Sequence, residues 1–242
     1  MKTLNFASRN FKEIIRDPLS IIFAILLPLF LLFIFQQFNI PNSVYKIENF
    51  TPGIIIFSFS FVTLFTSSLV ASDRSTSLLT RLCASPMKTI EYVLGYAISI
   101  LPMIIIQNVL FFITAALLGL DMNINVIFTI LITIPISILF IMLGILIGCI
   151  TTEKSASGVS SVVVQLVAFT SGMYFSTEIV GKVFGFICDI LPFKGSLEIT
   201  KGFLNGNYSD LLIPTLTFVI YTIVITIVAC LLLKRRLQSD NK

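Results

Sequence analysis

The chain has 242 residues, of which 56% are hydrophobic and 12% charged; it has a net charge of +4 and no histidine. A soluble domain carries about 25% charged residues, so the composition leaves no room for a water-soluble domain, and the lack of histidine excludes a His-based metal or acid–base site. The positive charge is no nucleic-acid footprint, because its distribution follows membrane topology.

Six stretches hold no Asp, Glu, Lys or Arg: 18–45, 49–72, 92–120, 122–152, 155–177 and 211–233. Each exceeds the roughly 20 apolar residues a helix needs to cross the hydrocarbon core. The expected fold is therefore all-α: one transmembrane domain, 1–242, with spans at about 19–38, 53–72, 93–119, 125–150, 156–175 and 211–233. An even number of spans puts both termini on one side. That side receives twelve of the sixteen basic residues, while the acids divide evenly. The positive-inside rule makes it the cytoplasmic side.

Taken in chain order, residues 3–16 precede the first span. Leu4, Ala7, Phe11, Ile14 and Ile15 recur at helical spacing, with Asn5, Arg9, Lys12 and Arg16 elsewhere on the wheel. This pattern predicts an amphipathic helix in the cytoplasmic interface, its basic face on lipid headgroups. Asp17-Pro18 ends it. The apolar run begins only at Ile21 and lacks small residues for cleavage, so it reads as a retained span rather than a signal peptide. Pro41 and Pro52 punctuate a short external loop. The stretch 73–92 is cytoplasmic, and Asp121 to Asn125 make a tight external turn. Pro135 predicts a kink in the fourth span. Thr151 to Ser155 is a brief second cytoplasmic connection, which makes spans four and five antiparallel neighbours. Ser155, Ala156, Ser157, Gly158, Ser160 and Ser161 open the fifth span with small residues, which let helices approach closely, within the subunit or at a moving interface.

The external stretch 176–210 carries an apolar patch, Phe184 to Phe193, too short to span, and a second amphipathic piece, Leu197 to Leu204, stopped by Asn205-Gly206. Such lengths predict short re-entrant or interfacial helices. Lys234-Arg235-Arg236 closes the last span. Of the four cysteines, Cys83 is expected in the cytoplasm, Cys149 and Cys230 in spans, and only Cys188 outside, so no disulfide framework is expected.

The most specific segment is the cytoplasmic one, from Asp73 to Tyr96. Ser75 can cap a short helix, and Leu78, Leu79 and Leu82 share one face. Ala84-Ser85-Pro86 stops that helix, and Ser85 with Pro86 starts the next. A short amphipathic helix offered to the cytoplasm suits a partner's groove. It equally suits the lipid surface.

Asp73-Arg74, Ser77-Leu78-Leu79, Arg81-Leu82-Cys83-Ala84-Ser85-Pro86, Glu91-Tyr92 and Gly95 together resemble the first cytoplasmic loop of type-2 ABC exporter permeases, the drug and polysaccharide export family. The basic N-terminal helix, Gly172 to Phe175, Leu191-Pro192-Phe193 and Asn205-Gly206 agree with it. The chain departs from the family at Asp73, where Glu is frequent, and at Ser176, where a proline is frequent. The resemblance implies a pair of permeases, this chain with a second copy or a paralogue, each bound to an ATP-binding subunit that holds ATP and magnesium. It implies that loop 73–92 is the coupling helix, docking through Arg74, Leu78, Leu79, Arg81, Leu82, Pro86 and Lys88. Thr152, Glu153 and Lys154 offer a second cytoplasmic contact.

The chain cannot hydrolyse ATP itself and binds no cofactor, because it lacks the Gly-rich phosphate cradle; Gly181-Lys182 has neither the upstream glycine nor a following Ser/Thr. Charge-free spans argue against a proton- or sodium-coupled transporter, in which ionisable residues sit inside the membrane. A channel or an assembly subunit stays open. Ser60, Thr63, Ser67, Asn108 and Gln165 are the candidate pathway or interface polar residues, with hydrogen-bonding glue between helices as the plainer role. The expected substrate is hydrophobic or amphipathic (a drug, antibiotic or small peptide) exported across a bacterial plasma membrane, as the Ile-, Asn-, Lys- and Phe-rich, Trp-free usage suggests. A lipid-linked cell-wall glycan is the alternative.

Overall fold

In the computed structural model the described residues are 2–38, 40, 42–76, 88–174 and 181–239, and among them there is no strand. Helix α1 (Lys2–Ile15) is followed by α2 (Pro18–Ile21), a π-helical turn (Ile22–Leu26) and α3 (Leu27–Gln37), then by a 3-10 turn (Ser43–Tyr45). Next come α4 (Ile47–Ser75), α5 (Thr89–Leu117), α6 (Ile124–Ile150) and α7 (Glu153–Thr170). Two short helices, α8 (Lys182–Ile190) and α9 (Pro192–Asn205), precede α10 (Leu212–Ser239). Among the described residues four helices, α4, α5, α6 and α10, are long and apolar enough to cross a membrane. The chain is a multi-pass membrane protein.

Helix α4 is the hub. From Phe50 to Asp73 only Leu64, Ser68 and Ser72 are even half-exposed, and these three share one stripe at four-residue spacing. Its hydroxyls are spent inside the helix or on its neighbours. Ser58, Ser60 and Thr66 donate to carbonyls one turn back, and Thr63 donates to the Phe140 carbonyl of α6 at 2.9 Å. Two glycines let α6 lie against it. A Cβ on Gly144 would stand 2.8 Å from the Thr63 carbonyl oxygen, and one on Gly148 2.7 Å from that of Ser67. Backbone cannot step aside as a side chain can, so this seam requires glycine at both positions.

The first apolar segment is interrupted for a reason written in its sequence. Pro28 has no N–H to give the Ala24 carbonyl, the acceptor one turn back. The chain loosens into a π turn there, with the Leu27 N–H reaching the Ile22 carbonyl. The stranded Ala24 oxygen is taken by Gln107 Nε2 of α5 at 3.0 Å. Gln107 thus acts as glue between helices, a common role for an amide side chain inside a membrane bundle.

The stop signals fall where the sequence puts them at Asp17-Pro18 and at Gly206, whose φ of 67° places it in the left-handed region that ends α9. Helix α6 runs unbroken through Pro135. Two details differ from expectation. The inner face of α1 is Phe6, Ala7, Asn10 and Ile14, whereas Leu4 and Ile15 point outward. The apolar residues therefore fall on two faces, not one. Ser75 does not cap a new helix, because α4 carries on through it. Of the cysteines, Cys149 and Cys188 are buried and Cys230 half-buried, all three as free thiols. Cys83 lies outside the described residues.

Candidate functional site

Arg9, Arg74 and Arg236 gather at one end of the bundle, the basic end, where α4 ends, α5 begins and residues 151–152 join α6 to α7. Asp73 and Arg74, neighbours on the last turn of α4, reach in opposite directions there. Asp73 is 1% exposed. One of its oxygens accepts from Arg9 Nη1 at 2.7 Å and the other from the Tyr96 hydroxyl at 2.8 Å. Arg9 also pairs with Glu13 one turn along α1, at 2.6 Å. Phe6 of α1 meets the edges of Tyr92 and Tyr96, with centroids 5.6 and 5.0 Å apart. Gly95 makes room for it, since a Cβ there would lie 2.4 Å from Phe6 Cδ1. Helix α1 is thereby fastened to both roots of the 76–88 connection.

Arg74 turns the other way. Its Nη1 donates to the carbonyls of Gly148 at 2.6 Å and Thr151 at 2.9 Å, satisfying orphan acceptors at the C-terminus of α6. A cation at that position also complements the helix dipole. Arg236 adds a bond from its Nε to the Cys149 carbonyl at 3.2 Å. Ser75 Oγ donates to Glu153 Oε2 on the first turn of α7. Thr152, Glu153 and Lys154 are exposed beside it. At the other root the Lys88 N–H donates to Glu91 Oε2 at 2.6 Å and starts α5, leaving Lys88 exposed. Leu78, Leu79, Arg81, Leu82 and Pro86 lie outside the described residues.

Above this junction runs a polar seam between α4 and α7. Ser67 and Ser160 Oγ atoms lie 2.6 Å apart on its buried side. Ser68 and Ser157 Oγ atoms lie 3.2 Å apart on its open side. Ser157, Ser161 and Gln165 continue as an exposed stripe at four-residue spacing along α7. Where the seam meets α1, a cavity of about 340 Å³ is lined by Glu13, Ile14, Asp17, Phe65, Ser68, Leu69, Ser72, Glu153 and Ser157. Burial pushes the Glu13 carboxyl above its ordinary value, Arg9 draws it back, and the charge of Asp73 adds to the rise.

The five polar residues singled out from sequence thus part company. Ser60, Thr63 and Ser67 are buried and hydrogen-bonded within the subunit, and Asn108 donates to the Ile104 carbonyl of its own helix. Gln165 alone faces outward. Ser157 and Ser161 join it; their spacing of four was readable in the sequence, among small residues that drew attention for packing alone. The small residues of α7 serve both purposes, since Ala156 and Ser160 face α4 while Ser157, Gly158 and Ser161 face out.

The family model described as ABC-2 type transporter matches residues 3–203. The chain belongs to the ABC-2 type transporter family. No curated protein matches it. As an ABC-2 permease it is the transmembrane component of its transporter and not the ATPase, and permeases of this family typically partner with an ATP-binding subunit.

Proposed function

We propose that this permease is the membrane half of an ATP-driven exporter in a bacterial plasma membrane. It crosses the bilayer six times. The first crossing is the composite of α2, the π turn and α3, and the fifth is α7; the basic end, with both termini, is cytoplasmic. The segment 73–92 docks in a groove of a separate ATP-binding subunit that holds ATP and magnesium, through Leu78, Leu79, Arg81, Leu82, Pro86 and Lys88. Thr152, Glu153 and Lys154 make a second contact. Arg74 serves this contact from behind, by tying the loop root to the end of α6. The observation that carries the reading is the bracing of both loop roots, Asp73-Arg74 and Lys88 to Tyr96, against three other helices. A loop that transmits force requires anchored ends.

The cargo is a hydrophobic or amphipathic molecule. The open stripe of Ser157, Ser161 and Gln165 supports a path on this face of α4 and α7. Ser161 satisfies its hydroxyl on the Ser157 carbonyl, but the exposed Gln165 amide is costly against lipid tails, so the stripe faces protein or water. A second permease, identical or paralogous, completes that path. α8 and α9 are the short helices of the outer leaflet.

Co-expression with the ATP-binding subunit, purification through a tag on the permease and an ATPase assay test this reading. Wild type is expected to carry an active ATPase through purification, and Arg81→Glu/Leu82→Glu to lose association or coupling. A permease that purifies alone, or a double variant that associates and couples as wild type does, overturns the docking assignment.

A further inference from the structure

Asp73 is an unusual place to put a charge. It is almost wholly buried, and each carboxylate oxygen takes a donor from a different helix: Arg9 from α1, Tyr96 from α5. Tyr96 is itself fully buried. The two roots of the 76–88 connection are thus bonded directly to one another, across 23 residues of sequence, and α1 is pinned to both by Arg9 and Phe6. Opening any one of these bonds leaves a buried charge or hydroxyl unpaired, which is strongly unfavourable. On the other side of the root Arg74 holds the Gly148 and Thr151 carbonyls, and the bond beside it to α7 is of a different kind. Ser75 and Glu153 are exposed, and such a bond exchanges with water at little cost.

The root therefore has a rigid side and a yielding side. Force applied to the loop cannot splay α4 from α5, because Tyr96 holds them. It moves α1, the end of α4 and the start of α5 as one body, with the end of α6 tied on through Arg74, while the exposed Ser75–Glu153 bond to the start of α7 gives first. We infer that Arg9, Asp73 and Tyr96 are positioning residues that form the joint through which movement of the coupling loop enters the bundle. This inference rests on the coupling reading above, and adds to it which side chains transmit the stroke.

The test uses the full complex with its ATP-binding subunit in lipid nanodiscs, in a background with the four cysteines replaced. A spin label goes on Lys182→Cys, exposed on α8 at the opposite end of the bundle, and copy-to-copy distances are read without nucleotide and after ATP–vanadate trapping. Wild type should show a nucleotide-dependent distance change. In Asp73→Asn and in Arg9→Gln the population of the shifted distance should fall by roughly 2- to 30-fold, the size of a coupling change of this kind, while ATP hydrolysis persists. The double variant Arg9→Gln/Asp73→Asn, an amide pair that can re-form the bond without charge, should recover the shift. Tyr96→Phe, which removes one hydrogen bond and no charge, gives a folded readout if the Asp73 variants do not assemble, and should also lower the shifted population. Folded single variants that keep the full wild-type shift overturn the joint. Failure of wild type to bind the ATP-binding subunit, or to respond to nucleotide, overturns the coupling reading and the joint with it.

Discussion

Helices α4 and α10 are nearly the same length, and α10 is the more apolar of the two, yet 89% of the most apolar window of α4 is buried in the subunit against 17% for α10. Lipid tails are as apolar as leucine side chains, so apolarity alone gives a helix no reason to prefer the bundle centre. What distinguishes α4 is its hydroxyls and the small residues opposite them. Eight Ser or Thr side chains lie between Thr51 and Ser72, and α6 and α7 present Gly144, Gly148 and Ser160 to that helix. The exposed side of α10 carries Ile213, Ile220, Val224 and Leu231. Depth inside a membrane bundle is set by how closely backbones can approach.

The sharpest way to break that contrast is Gly148→Leu. Its Cβ would meet the Ser67 carbonyl and Val70 at 2.7 Å, and the seam could open only by moving α6 off α4. A loss of roughly 3 kcal/mol is expected, the upper end for overpacking a tight core. Monodisperse recovery in size-exclusion chromatography after a heating series reads it. Gly158→Leu on α7 provides the contrast, since no atom lies within 4 Å of a Cβ there. Equal behaviour of the two glycines would refute the close-approach argument.

A smaller effect belongs to the bond between Gln107 and Ala24. Gln107→Leu removes the donor that answers the proline-stranded carbonyl, and about 1 kcal/mol is expected for an interhelical hydrogen bond in a membrane. Pro28→Ala supplies a backbone N–H to the same oxygen. The double variant Pro28→Ala/Gln107→Leu should therefore regain most of the loss in thermal stability. Simple additivity of two destabilisations would show that the π turn has another cause.

These cases also mark what was legible in the sequence. Four of the six charge-free runs coincide with helices long and apolar enough to span, and Asp17-Pro18 and Asn205-Gly206 stop α1 and α9, because those signals act within a few residues. The Gly144-x-x-x-Gly148 seam was written in a known pattern and passed unread. The partners of Asp73 were not legible at all. Arg9 lies 64 residues away, and nothing local distinguishes a buried carboxylate from an exposed one at the end of a span. The hydroxyls of Ser60 and Thr63 looked like pathway groups for a related reason. A Ser or Thr in a helix can satisfy itself on the carbonyl one turn back, so its presence does not reveal which way it faces. Gln165 is the one of the five that faces out.

The smallest expected effect is on α10. Ile220→Ala and Val224→Ala remove apolar volume from side chains more than half exposed. In a bilayer these atoms exchange a protein neighbour for a lipid neighbour of the same polarity, so the change in thermal stability should stay within about 0.5 kcal/mol. The result carries information in either direction. A negligible shift places this face against lipid and leaves the α4–α7 face, with its polar stripe, as the surface for a second permease. A shift comparable to that of Gly148→Leu would mean that α10 is packed in the assembled transporter, and a second subunit would then have to sit on the α10 side. The same two substitutions therefore locate the neighbour by how little they do.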